Sequence, residues 1–336
     1  MIPKRSLVTI AMALLTYSFS VAPGQLGAEP STSSQVSSEN DSAPAVPTDS
    51  GPSPEELEKI AKMTANPLGA AWMLWFQNDY SEIRGDLVPG GKRVNSTKFQ
   101  PVMSFPVDLW GEDWNFIFRP VLQYQSVPLD KMVGELFGAS ETDIIADPDL
   151  GRIAADAFDD RTTGFGDTAL LTLMGPDRLD GFIWGAGISQ IFPTAEEDVL
   201  GQGKWQAGPA ALVARLAPDV GGFNVGALAQ HWWSYAGDGD REDTSLTDIQ
   251  YFINYRLSKT ELIGMTPNIR INWEADSDDR LTLPVGLGYS NVYKLGPLPV
   301  RVAAEIQYSL IKPDNVGTDW NFRLLFIPVI PNPFAR

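Results

Sequence analysis

The chain of 336 residues contains no cysteine and a single histidine, His231. Without thiols there is no disulfide framework, no thiolate metal site and no cysteine nucleophile. Basic charge is also scarce: 25 Lys and Arg face 42 Asp and Glu, for a formal charge of -17. That balance excludes nucleic acid as a partner, because phosphates need a basic surface. Nor is there an apolar run of the ~20 residues that a spanning helix needs.

The first 28 residues place Lys4 and Arg5 ahead of an apolar stretch from Leu7 to Leu15, followed by small residues. This is the layout of a secretory signal over residues 1–28, with cleavage after Ala28 or Ala22. Its apolar stretch is too short for the rival reading, a membrane anchor. Residues 29–52 are rich in Ser, Pro, Glu and Thr and cannot bury enough surface to offset chain entropy, so they read as a disordered leader. Ser53-Pro54-Glu55-Glu56 then supplies an N-cap, a proline at the first helical position and a capping-box glutamate. A short helix is expected within 53–66, fading near Met63 and stopped by Asn66-Pro67.

From residue 67 to 331 the pattern has a period of two. In 300–311, Val300, Val302, Ala304, Ile306, Tyr308 and Leu310 share one face, and Arg301, Glu305, Gln307 and Ser309 the other. In 246–257, Ile249, Tyr251, Ile253, Tyr255 and Leu257 oppose Asp248, Gln250, Asn254 and Arg256. The polar face of a soluble sandwich would be rich in Lys and Glu. Here it is mainly Gln, Asn, Ser, Thr and Arg, and the apolar face carries aromatics at its ends, the signature of an all-β transmembrane antiparallel β-barrel. Hydrocarbon cannot satisfy a free backbone group, so such strands span only as a closed cylinder.

Twelve strands are expected, near 69–80, 98–108, 113–127, 165–175, 182–195, 204–217, 222–236, 246–257, 262–275, 281–293, 299–311 and 319–331. Tight links WGED, GPDRLDG, APDVGG, SKTE and KLGPL alternate with longer or more acidic ones, including 81–97 and 128–164. That alternation suits short periplasmic turns and long outer loops in the outer membrane of a Gram-negative-type bacterium, with both termini periplasmic and 332–336 as a tail. The repeated Asp-Trp-Asn-Phe at 113–116 and 319–322 reads as a strand-entry device: Trp and Phe toward lipid in opposite interfacial girdles, Asn toward the lumen. Seven prolines fall inside these strands (Pro101, Pro106, Pro120, Pro209, Pro267, Pro284 and Pro328), each predicting a lost ladder bond or a bulge.

Several short runs carry a resemblance: Asn66-Pro67, Gly164-Phe165-Gly166-Asp167, Phe192-Pro193-Thr194, Gly203-Lys204-Trp205-Gln206-Ala207-Gly208-Pro209, residues 231–238, Pro284-Val285-Gly286-Leu287-Gly288 and Lys312-Pro313-Asp314 with Asp319-Trp320. In this order over residues 66–331 they resemble the outer-membrane barrel family labelled "MetA-pathway of phenol degradation". The resemblance implies an outer-membrane transporter of small, aromatic or otherwise hydrophobic solutes, and supplies no catalytic residue or cofactor. The chain departs from typical barrels in ending Asn332-Pro333-Phe334-Ala335-Arg336, not on a strand-terminal aromatic. The expected partners are outer-membrane lipid and lipopolysaccharide, a small-molecule solute and the barrel assembly machinery.

Alternation assigns Arg119, Lys204, Asp248, Arg256, Arg270, Glu274, Arg301, Glu305 and Arg323 to the lumen as candidate selectivity residues. Asp248, Arg256, Arg270 and Glu274 would share one inner wall. Two readings stand: ion pairs that fill a narrow cylinder, or a charged constriction. The connection 128–164 is either a lid over the mouth or a surface loop, and the helix near 53–63 a stopper at the other end. The acidic stretches 237–243 and 274–280 lack the calcium-loop pattern and read as solvated loops. An outer-membrane lipid hydrolase is the rival class, but His231 and Ser234 fall on opposite faces, out of each other's reach. A non-conducting scaffold is the third class.

Overall fold

The computed structural model describes residues 52–136, 143 and 146–334. The expected signal sequence and nearly all of the expected leader lie outside the described residues, as do Ala335 and Arg336. Helix α1 (Pro54–Ala65) opens on Ser53, whose side chain accepts the Glu56 N–H while Glu56 reaches back to the Ser53 N–H. Strands follow as β1 (Trp72–Gly85), β2 (Val88–Leu109), β3 (Glu112–Val127), β4 (Thr162–Phe165), β5 (Thr168–Pro176), β6 (Gly181–Phe192), β7 (Lys204–Leu216) and β8 (Phe223–Gly237). The last six are β9 (Ser245–Arg256), β10 (Glu261–Met265), β11 (Asn268–Asn272), β12 (Leu281–Leu295), β13 (Leu298–Ile311) and β14 (Gly317–Ile330).

All neighbours are antiparallel, and β14 pairs back onto β1, which closes the ring. Two crossings are each built from two pieces: β4 and β5 both pair with β3, and β10 and β11 both pair with β9 and β12. The barrel therefore has twelve staves.

One expectation is corrected. Residues 81–97 are not a long loop: β1 and β2 continue as a tall hairpin, paired from Met73↔Val102 to Gly85↔Val88. At the outer end of this hairpin Ile83, Val88 and Val94 pack against Leu129, Phe158 and Leu200 of the long loops, and Lys92 Nζ donates to Phe158 O at 3.1 Å, so protein, not lipid, covers it and the strict alternation lapses.

The prolines act as the backbone chemistry requires. Pro101 pairs with Leu74 and Pro120 with Leu170, but between β2 and β3 the ladder is interrupted from Phe99↔Leu122 to Met103↔Phe118 with its register unchanged. Pro101 and Pro120 face one another across that gap, where neither has an N–H to give. Pro209 and Pro328 sit at similar gaps, in the β7–β8 and β1–β14 ladders. The widest interruption surrounds Pro267. Pairing between β10 and β12 ends at Gly264↔Gly288 and resumes with β11 at Arg270↔Thr282. There the freed Thr266 N–H turns inward to the Glu305 carboxylate at 2.9 Å.

The wall is inverted relative to a soluble protein. Gln77, Lys98, Gln100, Asn115 and Arg301 are buried, while Ile188, Val213, Leu287, Ile306 and Phe326 are exposed on the outside. This is what lipid outside and side chains inside demand. The two Asp-Trp-Asn-Phe copies lie at opposite ends. Trp114 makes edge contacts with Trp110 and Trp184 at the short-turn end, and Trp320 packs 4.7 Å from Tyr308 at the long-loop end. Asn115 and Asn321 both point inward, donating to Leu68 O and Asp79 Oδ1. The turn after β2 places Trp110 and Gly111 at φ 55° and 78°, the left-handed pair that a two-residue hairpin link uses.

Candidate functional site

The lumen has two tiers. At the long-loop end it is a polar vestibule of about 590 Å³. Its hub is Asp79, which β1 points inward; Arg323 Nε donates to its Oδ1 at 2.6 Å and Lys98 Nζ to its Oδ2 at 3.2 Å. Asp248 takes Asn268 Nδ2 at 2.7 Å and Arg270 Nε at 3.4 Å. Glu305 binds Thr266 Oγ1 at 2.6 Å and Gln307 Nε2 at 3.0 Å. Toward the mouth the vestibule is acidic: Asp79, Glu242, Asp243, Asp248, Glu274, Asp276 and Asp279 face Arg270, Arg280 and Arg323.

At the short-turn end the inner wall is apolar, a reversal of the uniformly polar, hydrated lumen that alternation implies. Met73, Trp75, Val102, Ile117, Leu173, Leu212, Phe252 and Ile327 form one cluster with Leu68, against which Ile60 and Met63 of α1 pack. Leu68 is 1% exposed and lies in a socket left by two glycines. A Cβ at Gly175 or Gly185 would come within 2.6 or 3.0 Å of Leu68 Cδ1. Burying one such leucine contributes ~1.5–3 kcal/mol. The segment is tied down by Asn66 Nδ2 to Arg178 O at 2.5 Å, and α1 by Glu58 to Lys259 Nζ at 2.7 Å. α1 and Leu68 thus stopper this end, beneath a residual cavity of about 70 Å³.

The structure brings together Asp248 with Arg270, and Arg323 with the unforeseen Asp79. Of the other members of the expected wall, Glu274 lines the same vestibule from beyond the end of β11, whereas Arg256 lies at the far end of β9 from Asp248. Lys204, at the start of β7, reaches Asp243 of the loop between β8 and β9 at 3.4 Å. Arg119, Arg256 and Arg301 belong to the apolar tier, and among the described residues none of them makes an ion pair. Asp79 and Lys98 are the principal residues that sequence reasoning misses. Their signal is present, because Gln77-x-Asp79-x-Ser81 and Lys98-x-Gln100 alternate like every other lumenal run.

Above the vestibule, Val127, Leu129, Val133, Leu136, Ile153, Phe158, Val199 and Leu200 form a second apolar cluster with the tips of β1 and β2. So the described part of 128–164, which includes helix α2 (Pro148–Ala155), packs as a cap over the rim. Asp167 fastens the loop between β6 and β7, whose Val199 and Leu200 this cap packs against, accepting the N–H groups of Thr194, Ala195 and Gln202 at 3.1, 3.2 and 2.6 Å. His231 Nδ1 meets Thr247 Oγ1 at 2.7 Å, whereas Ser234 Oγ donates to Asp243 Oδ1 on the lumenal side. Nucleophile and base therefore do not meet.

A closed antiparallel cylinder with a greasy exterior and a two-tiered lumen is the fold of an outer-membrane β-barrel. In structure the chain is similar to the COG4313 outer membrane channel from Pseudomonas putida F1, at a TM-score of 0.54 and 12% identity, over 85% of this chain and 100% of that one. The β domain of the Bordetella autotransporter BrkA aligns at a TM-score of 0.39 and 11% identity, over 77% and 99%. The Ralstonia pickettii toluene transporter TbuX aligns at 0.33 and 10%, over 80% and 93%. These last two likenesses are too loose to bear on function. No family model matches the sequence, and no curated protein matches it.

Proposed function

We propose that the chain is an outer-membrane channel for small hydrophobic or aromatic solutes. The observation that carries this reading is the apolar tier beneath a polar vestibule: a hydrated mouth collects solute, and a greasy chamber within the same cylinder receives it. The Pseudomonas putida channel whose fold the chain shares supports it, as does the resemblance to the phenol-degradation barrel family. On this reading the short turns, α1 and both chain ends are periplasmic, and the long-loop cap faces the medium beside lipopolysaccharide. The strands are inserted by the barrel assembly machinery.

A deletion strain and its parent, compared for uptake of toluene, benzoate, octanoate and glucose, test the proposal. Slower entry of one or more apolar solutes with unchanged glucose is expected; equal uptake of all four refutes it. The stopper favours one second reading, a barrel that conducts nothing. Planar-bilayer recordings separate the two, because conductance steps that change with R270Q or R301Q require a lumen open at least part of the time.

A further inference from the structure

Among the described residues, three guanidinium groups in the apolar tier make no ion pair; Asp248 acts on Arg119 and Glu58 on Arg256 only from beyond contact distance. Arg301, 1% exposed, gives Nη1 to the Thr64 carbonyl at 3.4 Å and leaves Nε and Nη2 without partners. Arg256, 4% exposed, gives Nη1 to Ala217 O at 3.3 Å and likewise leaves Nε and Nη2 free. Arg119 donates to Gln100 Oε1 at 2.6 Å, lies 5.3 Å from the Trp75 ring centre and has an unpartnered Nε.

The vestibule is built differently: Lys98, Arg270 and Arg323 each have a carboxylate in reach. A buried charge without a counter-charge is strongly unfavourable, and an arginine cannot escape by losing its proton. Arg119 and Arg301 line the same 70 Å³ cavity, whose other walls include Trp75, Leu173 and Phe252. A chamber with greasy walls and unsatisfied, planar donors suits a molecule with an apolar body and an oxyanion head.

We propose that this chamber binds an amphiphilic organic monoanion, a carboxylate on an apolar body, with its head group held by Arg301 and Arg119 and with Arg256 at the same end. The proposal rests on the channel reading and narrows its solute class.

The full mature chain in lipid nanodiscs, measured against protein-free discs, tests it with labelled octanoate, octanol and octylamine, which share one body and differ in head charge. Octanoate is expected to bind about tenfold tighter than octanol, and octylamine weakest. R301Q and R119Q should remove that preference by weakening octanoate far more than octanol, and R301K should keep most of it. Equal binding of octanoate and octanol, a preference for octylamine, or a preference that survives both substitutions overturns the site. Should R301Q not fold, as judged by heat-dependent gel mobility, the head-group ranking on wild type and R119Q decides. Uptake of toluene without any head-group preference would sink the anion site alone. Absence of binding by all three probes together with unimpaired uptake in the deletion strain would sink the channel as well.

Discussion

Asp79 has the most at stake of any single side chain, because it is the shared counter-ion of Arg323 and Lys98 and is itself buried. Asp79→Ala would strand two buried cations, and removing one member of such a group costs about 3–5 kcal/mol. Guanidinium unfolding in lipid vesicles, followed by tryptophan fluorescence, is expected to show a loss of that size, and a smaller one in the D79A/K98M double variant. A loss below about 1 kcal/mol would mean that water already screens the hub. At this scale the sequence is half legible. Alternation shows that Arg323 faces inward, but its partner is 244 residues away. Pairing of that kind follows from ring closure, which no local pattern encodes. The arginines show the opposite limit: period two reports the inner face correctly for Arg301, yet it does not say that the neighbours at that height are apolar.

Among the elements, α1 is held in the barrel by side chains and not by a backbone ladder. Its capping box is readable from Ser53 to Glu56, whereas its seat depends on Gly175 and Gly185, which look like mere strand defects in the sequence. Its tether to the turn after β9 is the Glu58–Lys259 pair, with Lys62 and Asp180 3.9 Å apart as a second contact. The hydrogen bond from Lys259 holds the Glu58 carboxyl below its ordinary 4.5. A depressed carboxyl contributes stability that is fully present above its unfolded value and is lost as pH falls through the folded one. Conductance in a planar bilayer is therefore expected to be low at neutral pH and to rise as pH drops below 4.5, with Glu58→Gln already raised at neutral pH. Identical conductance across that range, in wild type and variant, would show that the ion pair does not hold the stopper. The strand elements are legible for the same reason that they exist: lipid on one side enforces alternation. Where that constraint lapses, at the end of the β1–β2 hairpin packed against the long loops and at the Pro267 break, the expected boundaries differ from the observed ones.

For the whole molecule, closure of β14 on β1 makes the barrel a single unit, and the chain end is drawn into it. Asn332 Nδ2 binds Ala70 O and Ser104 O at 2.8 and 3.0 Å, and Phe334 packs 5.9 Å from Trp72 and 5.3 Å from Phe105. The aromatic that the final strand lacks is thus provided four residues later, folded back onto the outer wall. The segregation of charge along the axis, acidic at the vestibule and cationic in the chamber, has an electrical consequence. A pore with opposite fixed charges at its two ends fills with carriers when cations enter from the negative end and anions from the positive one, and empties when the field reverses. With residues 53–65 removed, the barrel should behave as a rectifier, passing more current when the long-loop side is positive than at the opposite voltage of equal size. A straight current–voltage line through the origin would show that the axial dipole does not survive hydration.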